Sequence, residues 1–230
     1  MELVRFSHVS FGYPGLPYLL SHFDFSIQHG NYYYLTGENG VGKTTFLKLI
    51  YGAEVPILGN VYTFGANTKT LTEKELSMLR QNIGLIFQDN KLISHLSIVE
   101  NVALPLQILG EYKKTALEEA KNILDWVELK CDYHKKCHEI SDGQKKRVCI
   151  ARSIVTKPLL ILADEPTANL DIFQSRKVMQ ILEMLNEAGT PIICVTHHRN
   201  IINWFPHPEI RLEKGILFFE DEIHRQKVFY

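Results

Sequence analysis

The sequence predicts an α/β domain: a parallel sheet with an inserted helical lobe. Three observations predict it. Residues 32–50 run as strand, glycine-rich turn and helix. Residues 159–163 and 192–195 are continuous apolar runs of strand length, the pattern of parallel strands buried on both faces. After Gln88, strand-like runs give way to helical ones until about Thr156. At 230 residues, 45 % of them hydrophobic, the chain is long enough for one generous domain with a sizeable core.

The elements follow in order. Residues 3–9 alternate partly and predict a strand; residues 11–15 form a turn carrying Phe11 and Tyr13. Phe23, Phe25 and Ile27 alternate with polar neighbours, as in a half-exposed strand. A turn at His29, Gly30 and Asn31 leads into the strand that precedes the glycines. Residues 59–65 predict another short strand. Thr72 and Glu75 have the spacing of a capping box, so a helix is expected from there to about Gln81. Residues 83–87 then form a buried strand ending at Gln88. Residues 97–109 are apolar and helical, with Pro105 expected to kink or divide them. Leu117, Ala120, Leu124 and Val127 form a core stripe at helical spacing, opposite a solvated face of lysines and glutamates. Val178, Ile181, Leu182, Leu185 and Ala188 stripe a further helix, with Gly189 at its C-terminal end. Residues 210–212 and 216–219 predict a closing hairpin around Lys214 and Gly215.

The glycine turn carries the first chemistry. Gly37, Gly42, Lys43 and Thr44 fill the G-x-x-x-x-G-K-[ST] pattern of a phosphate-binding loop, between a strand and a helix as that motif requires. Glycines let backbone N–H groups close around phosphate oxygens, and the helix aims its positive end at the anion. Lys43 is placed to reach the β- and γ-phosphates, and the Thr44 hydroxyl suits Mg2+, which prefers oxygen ligands. Asp164 and Glu165 follow the apolar run 159–163, at the strand end where ligands bind in open parallel sheets. Asp164 is expected to hold Mg2+ through water, and Glu165 to orient and deprotonate an attacking water.

Composition excludes other classes. With 25 basic and 26 acidic residues, the net charge of −1 argues against nucleic-acid binding through a basic face. No apolar stretch is long enough to span a membrane, and the N-terminus lacks a signal-peptide pattern. Cys131, Cys137, Cys149 and Cys194 form no secreted-type framework, which fits a reducing cytosol. Residues 90–93 lack the aspartate of a guanine-reading N-K-x-D motif.

Six motifs in order resemble those of ATP-binding cassette (ABC) ATPases: residues 37–45, Gln88, residues 140–144, residues 164–166, residues 169–171, and Thr196 with His197. The resemblance covers essentially the whole chain. It implies a P-loop NTPase fold with a RecA-like sheet core, an antiparallel β subdomain and an inserted α-helical lobe. Residues 1–230 then form a single cassette, with about 1–88 and 157–230 as catalytic core and about 89–156 as helical lobe. Within the superfamily, residues 47–52, 79–89 and 162–171 most resemble the cell-division ATP-binding proteins of the FtsE type. The ATPases of lipoprotein release and macrolide export are close in pattern and supply the alternative reading.

The resemblance assigns roles residue by residue. Gly37, Glu38, Asn39, Gly40, Val41, Gly42, Lys43, Thr44 and Thr45 form the ATP phosphate loop, and Tyr13 resembles the aromatic that stacks on adenine. Gln88 resembles the glutamine that contacts Mg2+ and the attacking water and connects the lobes. Ser141, Gly143 and Gln144 resemble the signature loop, which binds the γ-phosphate of ATP held by the opposite subunit. Asp171 resembles the residue of a loop that crosses the dimer interface, and His197 the switch histidine. Implied partners are a second copy of the chain, joined through ATP, and an integral membrane protein, FtsX, on the cytoplasmic face of the bacterial inner membrane. FtsX would enter a groove for which Leu92, Ile93, Leu96 and Ile98 are candidates. The output would be activation of cell-wall hydrolases.

Two positions depart from the family pattern. Asp142 stands where glycine is usual, and is expected to point to solvent from a helix N-terminus. His198 stands where an acidic residue is usual. Cys131, His134, Cys137 and His138 lie close together, but their spacing matches no common zinc finger, so packing and surface roles are expected.

Overall fold

The computed structural model describes residues 2–129 and 133–220. Two sheets organise them. A four-stranded antiparallel sheet has the order β2-β1-β4-β5, built from β1 (Glu2–Phe11), β2 (Leu20–Gln28), β4 (Leu58–Thr63) and β5 (Ala66–Asn67). A six-stranded sheet has the order β10-β9-β3-β8-β7-β6. Its strands are β3 (Tyr32–Thr36), β6 (Ile83–Ile86), β7 (Leu160–Asp164), β8 (Ile192–Val195), β9 (Glu209–Glu213) and β10 (Ile216–Glu220). All neighbours in it are parallel except the closing hairpin β9–β10.

The continuous apolar runs have a direct structural cause. Side chains alternate across a strand. Leu160 and Leu162 of β7 enter one core cluster, while Ile161 and Ala163 enter the other. Ile193 and Val195 of β8 divide from Ile192 and Cys194 in the same way. Each face needs its own apolar set, and burying one such aliphatic side chain contributes about 1.5–3 kcal/mol. One cluster joins the sheet to β1, β2 and helix α1 (Lys43–Ile50), with Phe6 stacked on Phe46 at 4.6 Å. The other joins it to α3 (Ile98–Ile108), α4 (Lys113–Trp126), α5 (Asp142–Ile154), α6 (Ile172–Glu187) and α7 (Arg199–Trp204).

Helix α2 (Glu73–Arg80) starts at Thr72 in a complete capping box with Glu75, as the spacing predicts. Helix α3 has the same device at Ser97 and Glu100, and runs through Pro105 undivided. The proline sits near the C-terminal end, so it removes one backbone bond, the donor to the carbonyl of Asn101. The packing of α3 against α4 and α5 holds the remaining turn. Ile98 is wholly buried in the core, so it is not available to a groove. Leu92, Ile93 and Leu96 are half-buried. The short helix α7, directly after the two adjacent histidines, was not legible in the hydrophobic pattern.

Cys137 is buried, its thiol facing the Asn101 amide and the carbonyl of Ile93, while His134 and His138 are exposed. Cys131 lies outside the described residues. Of the other three, Cys137 is thus part of the packing and the two histidines lie at the surface.

Candidate active site

The C-terminal ends of β3, β7 and β8 bring the predicted residues together. β3 leads into the glycine turn, where Gly37 adopts φ 144° and a Cβ there would lie 2.3 Å from the carbonyl oxygen of Leu212. Any side chain at that position collides with backbone, which explains the glycine. Gly42 caps α1 in a left-handed conformation, φ 113°. The Lys43 ammonium is held inside the turn, donating to the carbonyls of Gly37 at 2.8 Å and Glu38 at 2.9 Å. Thr45 is buried beneath, and its hydroxyl lies 3.1 Å from the Tyr13 hydroxyl. The Tyr13 ring packs edge-on against Phe11, so Tyr13 stands beside the turn, partly exposed.

Thr44 Oγ1 donates to Asp164 Oδ2 at 2.8 Å. A hydroxyl and a carboxylate meeting at a phosphate loop form an all-oxygen donor set, which fits Mg2+ rather than a softer cation.

Glu165 follows Asp164 in a strained conformation, φ 47°, with its N–H bonded to Val195. It is only 7 % exposed. Its Oε1 lies 2.7 Å from His197 Nδ1, and its Oε2 is buried with no hydrogen-bond partner. Buried carboxylate oxygens are normally satisfied, and strain with an unmet acceptor concentrates at functional sites. A cavity of about 470 Å³ opens alongside, lined in part by Gly37, Glu38, Val41, His197 and Arg199.

The outer supports were not anticipated from sequence. Arg199 donates to both oxygens of the buried Glu209 carboxylate, at 2.8 and 2.7 Å, and Thr36 donates to the same group at 2.6 Å. This ties α7, and with it the segment carrying His197, to β9 and β3. The sequence offered no signal that singles out Glu209, because Arg211 and Glu213 alternate with it along the same strand. Lys146 is 1 % exposed on α5, and its ammonium donates to the carbonyls of Phe87 and Gln88, both at 2.9 Å. Burial pushes its pKa below the usual lysine value. The Gln88 side chain is exposed at the end of β6; Lys146 holds its backbone.

Ser141, Gly143 and Gln144 open α5. Ser141 is its N-cap, and Ser141 and Gln144 bond reciprocally in a capping box. A Cβ on Gly143 would come within 2.5 Å of the Gln174 side chain. Asp171 caps α6 by accepting from the Gln174 N–H at 2.8 Å. Asp171 and the first turn of α5 thus meet at Gln174. They make no hydrogen bond to the phosphate loop among the described residues. Asp142 points to solvent and pairs with Lys145 at 2.9 Å, as expected.

A family model described as ABC transporter matches residues 20–168. The chain belongs to the ABC transporter family. The cassette is 40 % identical to the cell division ATP-binding protein FtsE of Haemophilus influenzae, covering 94 % of this chain and 99 % of that one. It is 37 % identical to the Bacillus subtilis protein of the same name, covering 94 % of each. Among solved structures it resembles MJ0796, a bacterial ABC transporter cassette solved as a dimer, with TM-score 0.87, 33 % identity and coverage of 95 % and 98 %. A second MJ0796 dimer, in a post-hydrolysis state bound to ADP and Pi, gives TM-score 0.86 at 32 % identity. The cassette is therefore an ABC ATPase, with a P-loop NTPase fold.

Proposed function

We propose that this cassette is the ATP-hydrolysing subunit of an FtsE-type cell-division complex. It works as an ATP-dependent homodimer bound to FtsX at the cytoplasmic face of the bacterial inner membrane. The similarity to FtsE proteins along nearly the whole chain carries the reading. The Glu165–His197 pair beside the phosphate loop supplies its chemistry.

ATP phosphates lie in the turn from Gly37 to Thr45, with Lys43 moving from the carbonyls of Gly37 and Glu38 to phosphate oxygens, and the adenine rests on Tyr13. Thr44 and Asp164, with Gln88, would hold Mg2+, which neutralises phosphate charge when bound. Glu165 keeps Oε1 on His197 and takes the proton of the attacking water on Oε2. His197 fixes the carboxylate and senses the γ-phosphate. Ser141, Gly143 and Gln144 of a second copy close over the nucleotide, with Asp171 at the seam. Residues of about 1–88 and 157–230 form the catalytic core. The lobe of about 89–156 swings on Lys146 and Gln88 as ATP closes the dimer. No helix among the described residues is long and apolar enough to cross a membrane, so FtsX converts that motion into work.

Copurification tests the proposal. The tagged cassette, extracted from its own membranes in mild detergent, should bring down an FtsX-type protein, and turnover should change when that protein is present. Recovery of a transport permease, with turnover stimulated by its cargo, would support the exporter reading instead.

A further inference from the structure

We propose that Glu165, His197 and His198 form a binding site for an imidazole-preferring divalent cation of the zinc class, and that occupation of this site silences the ATPase. One ligand atom from each of the three side chains lies within 4.8 Å of the other two. They are the only His, Cys, Asp or Glu side chains so grouped among the described residues.

Independent features place them. Glu165 is fixed by its bond to His197, yet keeps Oε2 buried and without a partner, so it brings an unspent anionic acceptor. His198 is the residue preceding α7, and its N–H donates to Thr196 Oγ1 at 3.2 Å. Its ring lies 4.1 Å from the ring of His197, tilted by 36°. The two imidazoles and the Glu165 carboxylate thus present ligand atoms to one shared space. Both rings are exposed.

Chemistry selects the cation. Two imidazole nitrogens and one carboxylate oxygen suit Zn2+, whereas Mg2+ prefers oxygen donors and keeps its water. Three protein ligands leave a fourth position for water. Ligands on a tetrahedral zinc lie roughly 3.4 Å apart, so the rings close by little more than one ångström. The Mg2+ pair Thr44 and Asp164 is left untouched. A cation held here removes the free oxygen of Glu165 and immobilises His197, so both groups needed for hydrolysis are withdrawn. The inhibition rests on the roles proposed for those two residues; the binding itself does not.

The nucleotide-free protein is titrated with Zn2+ alone, against a chromophoric chelator. The expected result is one zinc per chain, with affinity at least about tenfold weaker in His198→Ala and unchanged in His138→Ala. Zinc should raise the unfolding temperature of the parent but not of His198→Ala. It should also inhibit ATP turnover of the parent more strongly than that of His198→Ala, each compared with its own zinc-free rate. Equal affinity in the parent and His198→Ala, or a loss that follows His138→Ala, would overturn the site. Binding that depends on His198 without any inhibition would leave the site standing and overturn the silencing.

Discussion

His197 Nδ1 lies 2.7 Å from Glu165 Oε1, a bond between residues 32 apart in sequence. It leaves Glu165 with one oxygen committed and one free. Replacing Glu165 by Gln removes the proton acceptor but keeps the shape and a partner for His197. Turnover should fall at least about a hundredfold, with nucleotide affinity retained. Phosphate release and analogue binding measure the two. Turnover near the parent rate would mean that another group accepts the proton.

Lys146 is the strongest support that sequence reading passed over. Its ammonium is the donor to two carbonyls where β6 meets Gln88. Lys146→Met should leave both without that donor, costing about 1–3 kcal/mol in urea unfolding. It should lower kcat more than it alters KM for ATP, because Gln88 is displaced while the phosphate loop is not. Equal losses in both constants would show that Lys146 only supports the fold.

Alkaline pH should destabilise the protein. Burial pushes the Cys149 thiol from its ordinary 9.0 up to about 11, and pushes the Cys194 thiol and the Tyr32 phenol upward as well. The unfolded thiols release protons from about pH 9, while folded Cys149 holds its proton until about pH 11. Stability from these groups is complete below that window and is lost through it, by up to about 1.4 kcal/mol per pH unit per group. Lys146 works the other way: its lowered pKa means that the unfolded state binds the proton more tightly, so its contribution grows as pH rises towards 10.5. Burial raises Cys137, Tyr33 and Tyr51 as well, so the groups that lose stability with rising pH outweigh Lys146, and the net slope is downward. Urea unfolding between pH 8 and 10.5 should show it, and Cys149→Ala should flatten it. A parent whose stability rises with pH would reverse the sign.

The sheet and the phosphate loop were legible because each is written locally. Residues 160–163 must serve two cores, so every position is apolar; Gly37 must avoid the Leu212 carbonyl, so it has no Cβ. Motif order then supplied Thr44, Asp164, Glu165 and His197, which the fold brings into two hydrogen-bonded pairs. The supports were not legible, because they join distant segments through single polar groups. Lys146 looks like a solvated helix lysine, and Glu209 and Arg199 look like surface charges, until the sheet buries the first two. Ile98 misled in the opposite way: beside half-buried Leu92 and Leu96 its apolarity suggested a docking groove, and it belongs to the core. Pro105 was weighed by its intrinsic cost, and the packing of α3 overrides it.

The central claim is that each ATP is enclosed by Lys43 of one copy and Ser141 of another. The direct measurement mixes two disabled variants, Lys43→Ala and Ser141→Arg, neither of which hydrolyses ATP alone. In a mixed dimer one of the two sites keeps both native residues, so the mixture should dimerise with Mg-ATP and recover hydrolysis. A mixture as inactive as its components, with Ser141→Arg binding and enclosing ATP as a single chain, would contradict the claim.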